Sequence, residues 1–255
     1  IPLLADRRFA REARQALQGY GPRILGTLAD TLRDPTEGIE IRRSIPLVLA
    51  YMPIQGAVDL LLEGLFDYDG LLRYRAIRAL GKLRVIDPGL RFDEAKVALR
   101  VREECEGTLW HQQALACLYP AGDSPDLLAQ LLKDKINRGR ERVFRLLVLL
   151  LPPNVACASF MAIVEEDRLA KAAVAEYLDN VLPGKLKRAV LPLIETRESF
   201  FRRRREVRTI LHACLRSPDP ILRDCAVEAI AKDRWPEFSR LVSAATPSLE
   251  GVHDG

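Results

Sequence analysis

Leu72-Arg73-Tyr74-Arg75-Ala76-Ile77-Arg78-Ala79-Leu80 and Leu222-Arg223-Asp224-Cys225-Ala226-Val227-Glu228-Ala229-Ile230 carry one pattern in two places. Each reads large apolar, Arg, two variable residues, Ala, two variable residues, Ala, large apolar, and in each an Asp precedes the Arg by four residues, Asp69 and Asp219. The spacing is helical, and the small Ala at its centre lets two helices approach closely while the larger apolar residues fill the gap between them. A unit of this kind buries its apolar face only against its neighbours, as in stacked repeats.

Weaker copies run from Ile41 to Leu49, Trp110 to Leu118 and Leu169 to Tyr177. The position of Ala76 recurs 31 residues after Ile45 and 38 residues before Ala114, and irregularly beyond, which brackets a two-helix repeat without an ideal period. The paired Asp and Arg predict a ladder in which the Arg of one repeat bonds the Asp of the next.

Outward from these segments, apolar residues recur at three- and four-residue spacing along the chain, and Pro, Gly or Asp-Pro breaks interrupt them every twelve to twenty residues. The expectation is helix, turn, helix throughout, from 7–18 to 235–245, with breaks at 106–107 between helices 92–105 and 108–119, and at 137–138 between 124–136 and 139–151. No stretch alternates as a strand. A 6% aromatic content beside 29% charged residues suits helices packed through Leu, Ala, Val and Ile.

A formal charge of +4 is too small to mark an obligate nucleic-acid binder. The five cysteines, Cys105, Cys117, Cys157, Cys214 and Cys225, form no CxxC pair and fall mostly at apolar helical positions, which predicts free thiols in a reducing, cytoplasmic compartment. The most apolar run, Val143 to Leu151, is interrupted by Arg145, closed by Pro152-Pro153, and too short to cross a bilayer. The chain begins at Ile1 without the basic and apolar regions of a signal peptide.

Asp69 to Leu83 and Asp219 to Ala231 resemble the HEAT-repeat family. A narrower resemblance covers much of residues 20 to 195. Ile41-Arg42-Arg43-Ser44-Ile45-Pro46, Ala57-Val58-Asp59-Leu60-Leu61, Leu72-Arg73-Tyr74-Arg75, Glu141-Arg142-Val143-Phe144-Arg145-Leu146-Leu147 and Glu176-Tyr177-Leu178-Asp179-Asn180-Val181-Leu182-Pro183 are similar to the soluble HEAT segment of bacterial proteins with a transporter-like membrane domain. In that group the membrane part resembles nucleotide translocases or major-facilitator carriers. The resemblance implies an all-α, right-handed α-solenoid of HEAT-type helix pairs, with residues 1–19 as an N-terminal cap, 20–234 as repeats and 235–255 as a C-terminal cap and tail. It further implies a non-catalytic accessory module on the cytoplasmic side, whose partner is a protein or the cytosolic face of a membrane domain.

No enzyme signature competes with this reading. His111, His212 and His253 lie far apart, and only His212 has a close candidate co-ligand, Cys214, at a spacing unsuited to metal. The sequence contains no GxGxxG, Walker, GxSxG or HExxH string, so no metal, cofactor or catalytic residue is expected. Asp179 and Asn180, near a helix end, suit capping and bonding between repeats. Trp110 and Trp235 suit core packing, although all-helical DNA glycosylases of HEAT-like build place aromatic residues in a basic cleft, and nucleic-acid binding or alkylbase excision is the alternative function.

Basic clusters are the surface feature above background. Arg42 and Arg43 fall on one expected inner helix, and Arg73, Arg75, Arg78, Lys82 and Arg84 on the next. Arg73 is assigned to the Asp ladder, so the expected partner-binding stripe is Arg42, Arg43, Arg75, Arg78 and Lys82, facing an anionic surface. A second patch comprises Arg202, Arg203, Arg204 and Arg205, followed by Arg208.

Overall fold

The computed structural model describes residues 1–121, 124–152, 168–194, 207–231, 235 and 238. Among them are eleven α-helices, two short 3-10 turns and no strand. The helices are α1 (Ala10–Gly19), α2 (Leu25–Arg33), α3 (Ile39–Leu49), α4 (Gln55–Gly64), α5 (Gly70–Ile86), α6 (Glu94–Leu118), α7 (Leu127–Leu147), α8 (Arg168–Val181), α9 (Gly184–Ile194), α10 (Val207–Leu215) and α11 (Pro220–Ala231). The expected helix 154–165, the expected helix 235–245 apart from Trp235 and Phe238, and the basic patch Arg202, Arg203, Arg204 and Arg205 lie outside the described residues.

The chain forms two compact units. The first comprises Ile1–Cys105 and Glu141–Ile194, the second Glu106–Arg140 and Glu195–Gly255, so α6 and α7 each contribute residues to both.

In the first unit α1, α3 and α5 pack side by side in that order, α2 packs on α4, and α2, α3 and α4 each also pack on their successor in sequence. This is a two-layer arrangement with alternate helices in alternate layers. Leu28, Ile45, Leu61, Leu72, Ala76, Ile77 and Leu80 are fully buried. Ala76 sits where the pattern requires a small residue: a Cβ added to Gly64 at the end of α4 would lie 3.5 Å from the Ala76 Cβ and from a Leu72 methyl. Farther along the same unit α8 packs on α9.

In the second unit α10 and α11 pack together, and Leu211, Leu222, Ala226 and Ile230 join Ala114 of α6 and Leu128 and Leu132 of α7 in one core. Trp235 closes it, edge-on to Tyr119 at 5.8 Å, and Trp110 packs partly buried against the same core. The tryptophans therefore take the packing role expected of them.

The turns ahead of α5 and α11 share one design. Asp69 and Asp219 cap the two helices, accepting from the Leu72 N–H at 2.7 Å and the Leu222 N–H at 3.4 Å. Arg73 and Arg223 fold back so that Nη1 donates, at 2.7 Å in both cases, to the carbonyl six residues earlier, of Asp67 and of Ser217. A cation from an earlier helix then pairs with each capping Asp: Arg43 of α3 with Asp69 at 2.7 Å, and Lys135 of α7 with Asp219. The expected ladder between Arg73 and an Asp is thus replaced. Arg73 braces its own turn, and Arg43 and Lys135 supply the rungs.

Two expected breaks are not breaks. α6 runs unbroken through Glu106-Gly107 and α7 through Asn137-Arg138 and the Gly139 that follows. A helical Gly destabilises by about 1 kcal/mol relative to Ala, too little to end a long helix that buries apolar residues on both sides of it. Gly139 has a positive reason to be small, because a Cβ there would fall 2.1 Å from the Thr108 hydroxyl oxygen. It marks a close helix crossing.

Candidate functional site

A groove of about 790 Å³ opens on the layer of α1, α3 and α5 in the first unit, with α5 supplying most of its lining. Helical periodicity puts Leu71, Tyr74, Arg75, Arg78, Gly81 and Lys82 on one face of α5. Arg14 of α1, Leu47 of α3, Tyr51, Arg145 of α7 and Val148 complete the walls, over a floor that includes the buried Ile77 and Ala79.

Each basic side chain is held differently. The half-buried Arg75 donates from Nη1 to the Arg43 carbonyl at 2.8 Å, leaving the rest of its fork available. Burial lowers its pKa, opposed by Glu40 and reinforced by the cations of Arg43 and Arg14. Arg78 is exposed, with its guanidinium carbon 5.8 Å from the Tyr74 ring centroid. The Lys82 ammonium stands 3.1 Å above the Tyr51 ring, a cation–π contact that fixes an otherwise floppy chain. Lys82, and after it Arg14, hold the Tyr51 phenol below its ordinary pKa.

Arg145 is neutralised locally by Glu141 at 2.7 Å. Burial works to raise the Glu141 pKa, but Arg145 and the Tyr74 hydroxyl, which donates to it at 3.1 Å, outweigh that and lower it. Arg14, Arg75, Arg78 and Lys82 have no ion-paired carboxylate among the described residues. The groove is therefore a cationic trough with aromatic and aliphatic walls.

Three of the five stripe residues expected from sequence, Arg75, Arg78 and Lys82, come together here. Arg42 is corrected: it is only 3% exposed, donating to the Leu32 carbonyl at 3.0 Å and the Tyr68 hydroxyl at 3.1 Å and pairing with Asp67. A guanidinium so enclosed stitches turns together and cannot form part of a solvated stripe. Arg43 is engaged by Asp69 at 2.7 Å and Glu40 at 2.6 Å, both of which raise its pKa. In their place stand Arg14 and Arg145, which no local signal connects to α5; only the packing of alternate helices brings them there.

A second cluster has a structural role. Glu104 is 5% exposed and takes the Arg142 Nε at 2.7 Å and an Arg100 nitrogen, while Arg73 lies close enough for both arginines to lower its pKa further, after burial. Asp179 pairs with Lys187 of α9 at 2.8 Å, and Asn180 donates to the Glu176 carbonyl at 3.0 Å, so both serve the local packing expected of them. Among the described residues no three His, Cys, Asp or Glu side chains gather as a metal site, and no helix is long and apolar enough to cross a membrane. Cys214, beside His212 in the expected helix, is buried, and burial pushes its thiol up to about 12.

Family models, curated proteins and solved structures compared with the chain give no match.

Proposed function

We propose that the chain is a non-catalytic helical-repeat binding module whose basic groove takes an anionic segment of a partner protein. The observation that carries this reading is the convergence of Arg14, Arg75, Arg78 and Lys82 on one groove without ion-paired carboxylates among the described residues. Desolvating that many like charges without a counter-charge is unfavourable, and an anionic partner supplies the missing term. The alternate-layer packing of α1 to α5 and the duplicated Asp-capped turns support a HEAT-type, right-handed solenoid as the scaffold. In that setting the module acts as the accessory or regulatory part of a larger assembly, as in the bacterial transporter-like proteins it resembles.

The test is binding of a fluorescent oligoglutamate peptide in about 50 mM salt, where exposed charges are least screened. Surface ion pairs contribute roughly 0.2–1 kcal/mol each, so Arg75→Glu, Arg78→Glu and Lys82→Glu together should weaken binding by about 10- to 100-fold. Melting temperature should stay within a few degrees of wild type. Equal binding by the triple variant would overturn the reading. Much tighter capture of duplex DNA than of the peptide, lost in the same variant, would favour the nucleic-acid function instead.

A further inference from the structure

We infer that the segment held in this groove is an acidic α-helix lying along α5, with its carboxylates at the spacing of Arg75, Arg78 and Lys82. The inference rests on the groove being the binding surface, and adds the form of what binds there.

Spacing is the first argument. Along a helix rising ~1.5 Å per residue, Arg75, Arg78 and Lys82 succeed one another at steps of roughly 4.5 and 6 Å. A second helix alongside, with acidic residues three and four apart, repeats those steps on one face. An extended strand returns to the same face only every ~6.6 Å, and its intervening side chain points away, so it loses register with the cations.

The floor is the second argument. Gly81 lies inside α5, where Gly is disfavoured, yet a Cβ built on it meets nothing within 4 Å. No internal packing explains the glycine. It faces the groove one turn beyond Arg78 and next to Lys82, and its absent side chain leaves room for a partner backbone to come close.

The ends of the face are the third. Leu71 and Val85 lie on the same face of α5 as Arg78 and are 40% and 72% exposed. They bracket the basic centre over roughly 21 Å, about four helical turns. A matching helix is apolar near its ends and acidic between them, which gives it hydrophobic contact where charge is absent.

The experiment uses the full chain and two lactam-bridged helical peptides of about sixteen residues, four turns of helix. Both have one composition. One has Leu near each end and Glu at i, i+3 and i+7 between them; the other distributes the same residues around the helix. The register-matched peptide should bind at least about tenfold more tightly. Gly81→Leu, which keeps every charge and improves helix propensity, should remove that preference. If both peptides bind equally, and Gly81→Leu changes neither, the helical ligand is wrong while the groove reading stands. If Arg75→Glu, Arg78→Glu and Lys82→Glu together change no peptide's binding, the groove itself is wrong and this inference falls with it.

Discussion

Glu104 joins α6 to α7 through Arg142 while also taking Arg100 from its own helix, and its side chain is 6% exposed. Burial alone would raise its pKa, but Arg142 and Arg100 outweigh burial and hold it below the ordinary carboxylate value. Removing one charge from such a buried group typically destabilises by about 3–5 kcal/mol, because the remaining guanidinium groups lose their counter-charge. Glu104→Gln should therefore lower the denaturant midpoint substantially near neutral pH. The sign with pH follows from the depressed folded pKa. The carboxylate's contribution is present above the unfolded value of about 4.3 and disappears as pH falls through the folded one. Denaturation series from pH 6 downward should show wild type converging on Glu104→Gln, and a gap that persists at the lowest pH would refute the assignment. At this scale the sequence was legible where interactions are local. The recurrence of an Asp four residues before an Arg is local and plain in the sequence, which predicts a ladder from it; the capping of Leu72 and Leu222 by these Asp residues is what the structure adds. The choice of Arg43 over Arg73 as the partner of Asp69 was not legible, since it depends on which side chain the neighbouring helix points into the turn.

The helices themselves followed from periodicity and punctuation, and the repeat marked its own packing points. Ala76 and Ala226 are both fully buried, each in the core of a different unit. Ala76→Leu and Ala226→Leu insert three carbons at fully buried positions, and overpacking of this kind destabilises by typically 1–3 kcal/mol. Both variants should melt at lower denaturant than wild type, whereas Ala5→Leu, at an exposed position, should scarcely move the midpoint. Unchanged midpoints for both core variants would mean that the register of the repeat is misplaced. Punctuation failed at 106–107, where Gly107 is read as part of a turn, and at Asn137-Arg138, read as a turn just ahead of Gly139. A glycine marks either a turn or a close approach, and only the presence of Thr108 against Gly139 decides between them.

For the molecule as a whole, the sequence indicated a basic stripe and located its centre on α5. It missed that Arg42 is buried and that Arg14 and Arg145 join the groove from α1 and α7, because those residues converge through packing across long sequence separations. Binding by such a groove has to be separated from simple attraction by a chain whose formal charge is +4. At 0.1 M ionic strength the Debye length is about 10 Å, so charges farther away than that steer an approaching anion weakly while those in the groove contact it. Arg7, Arg23 and Arg91 are exposed, have no ion pair among the described residues and do not line the groove, so Arg7→Glu, Arg23→Glu and Arg91→Glu together form a control. This control changes the net charge by as much as the groove triple variant does. At about 20 mM salt both should slow association with oligoglutamate, since the whole field then acts. At about 150 mM salt the control should recover wild-type affinity while the groove variant stays at least about tenfold weaker, because only contact charges survive screening. Equal weakening by the two variants at the higher salt would show that net charge, and not the arrangement of Arg75, Arg78 and Lys82 on α5, governs capture.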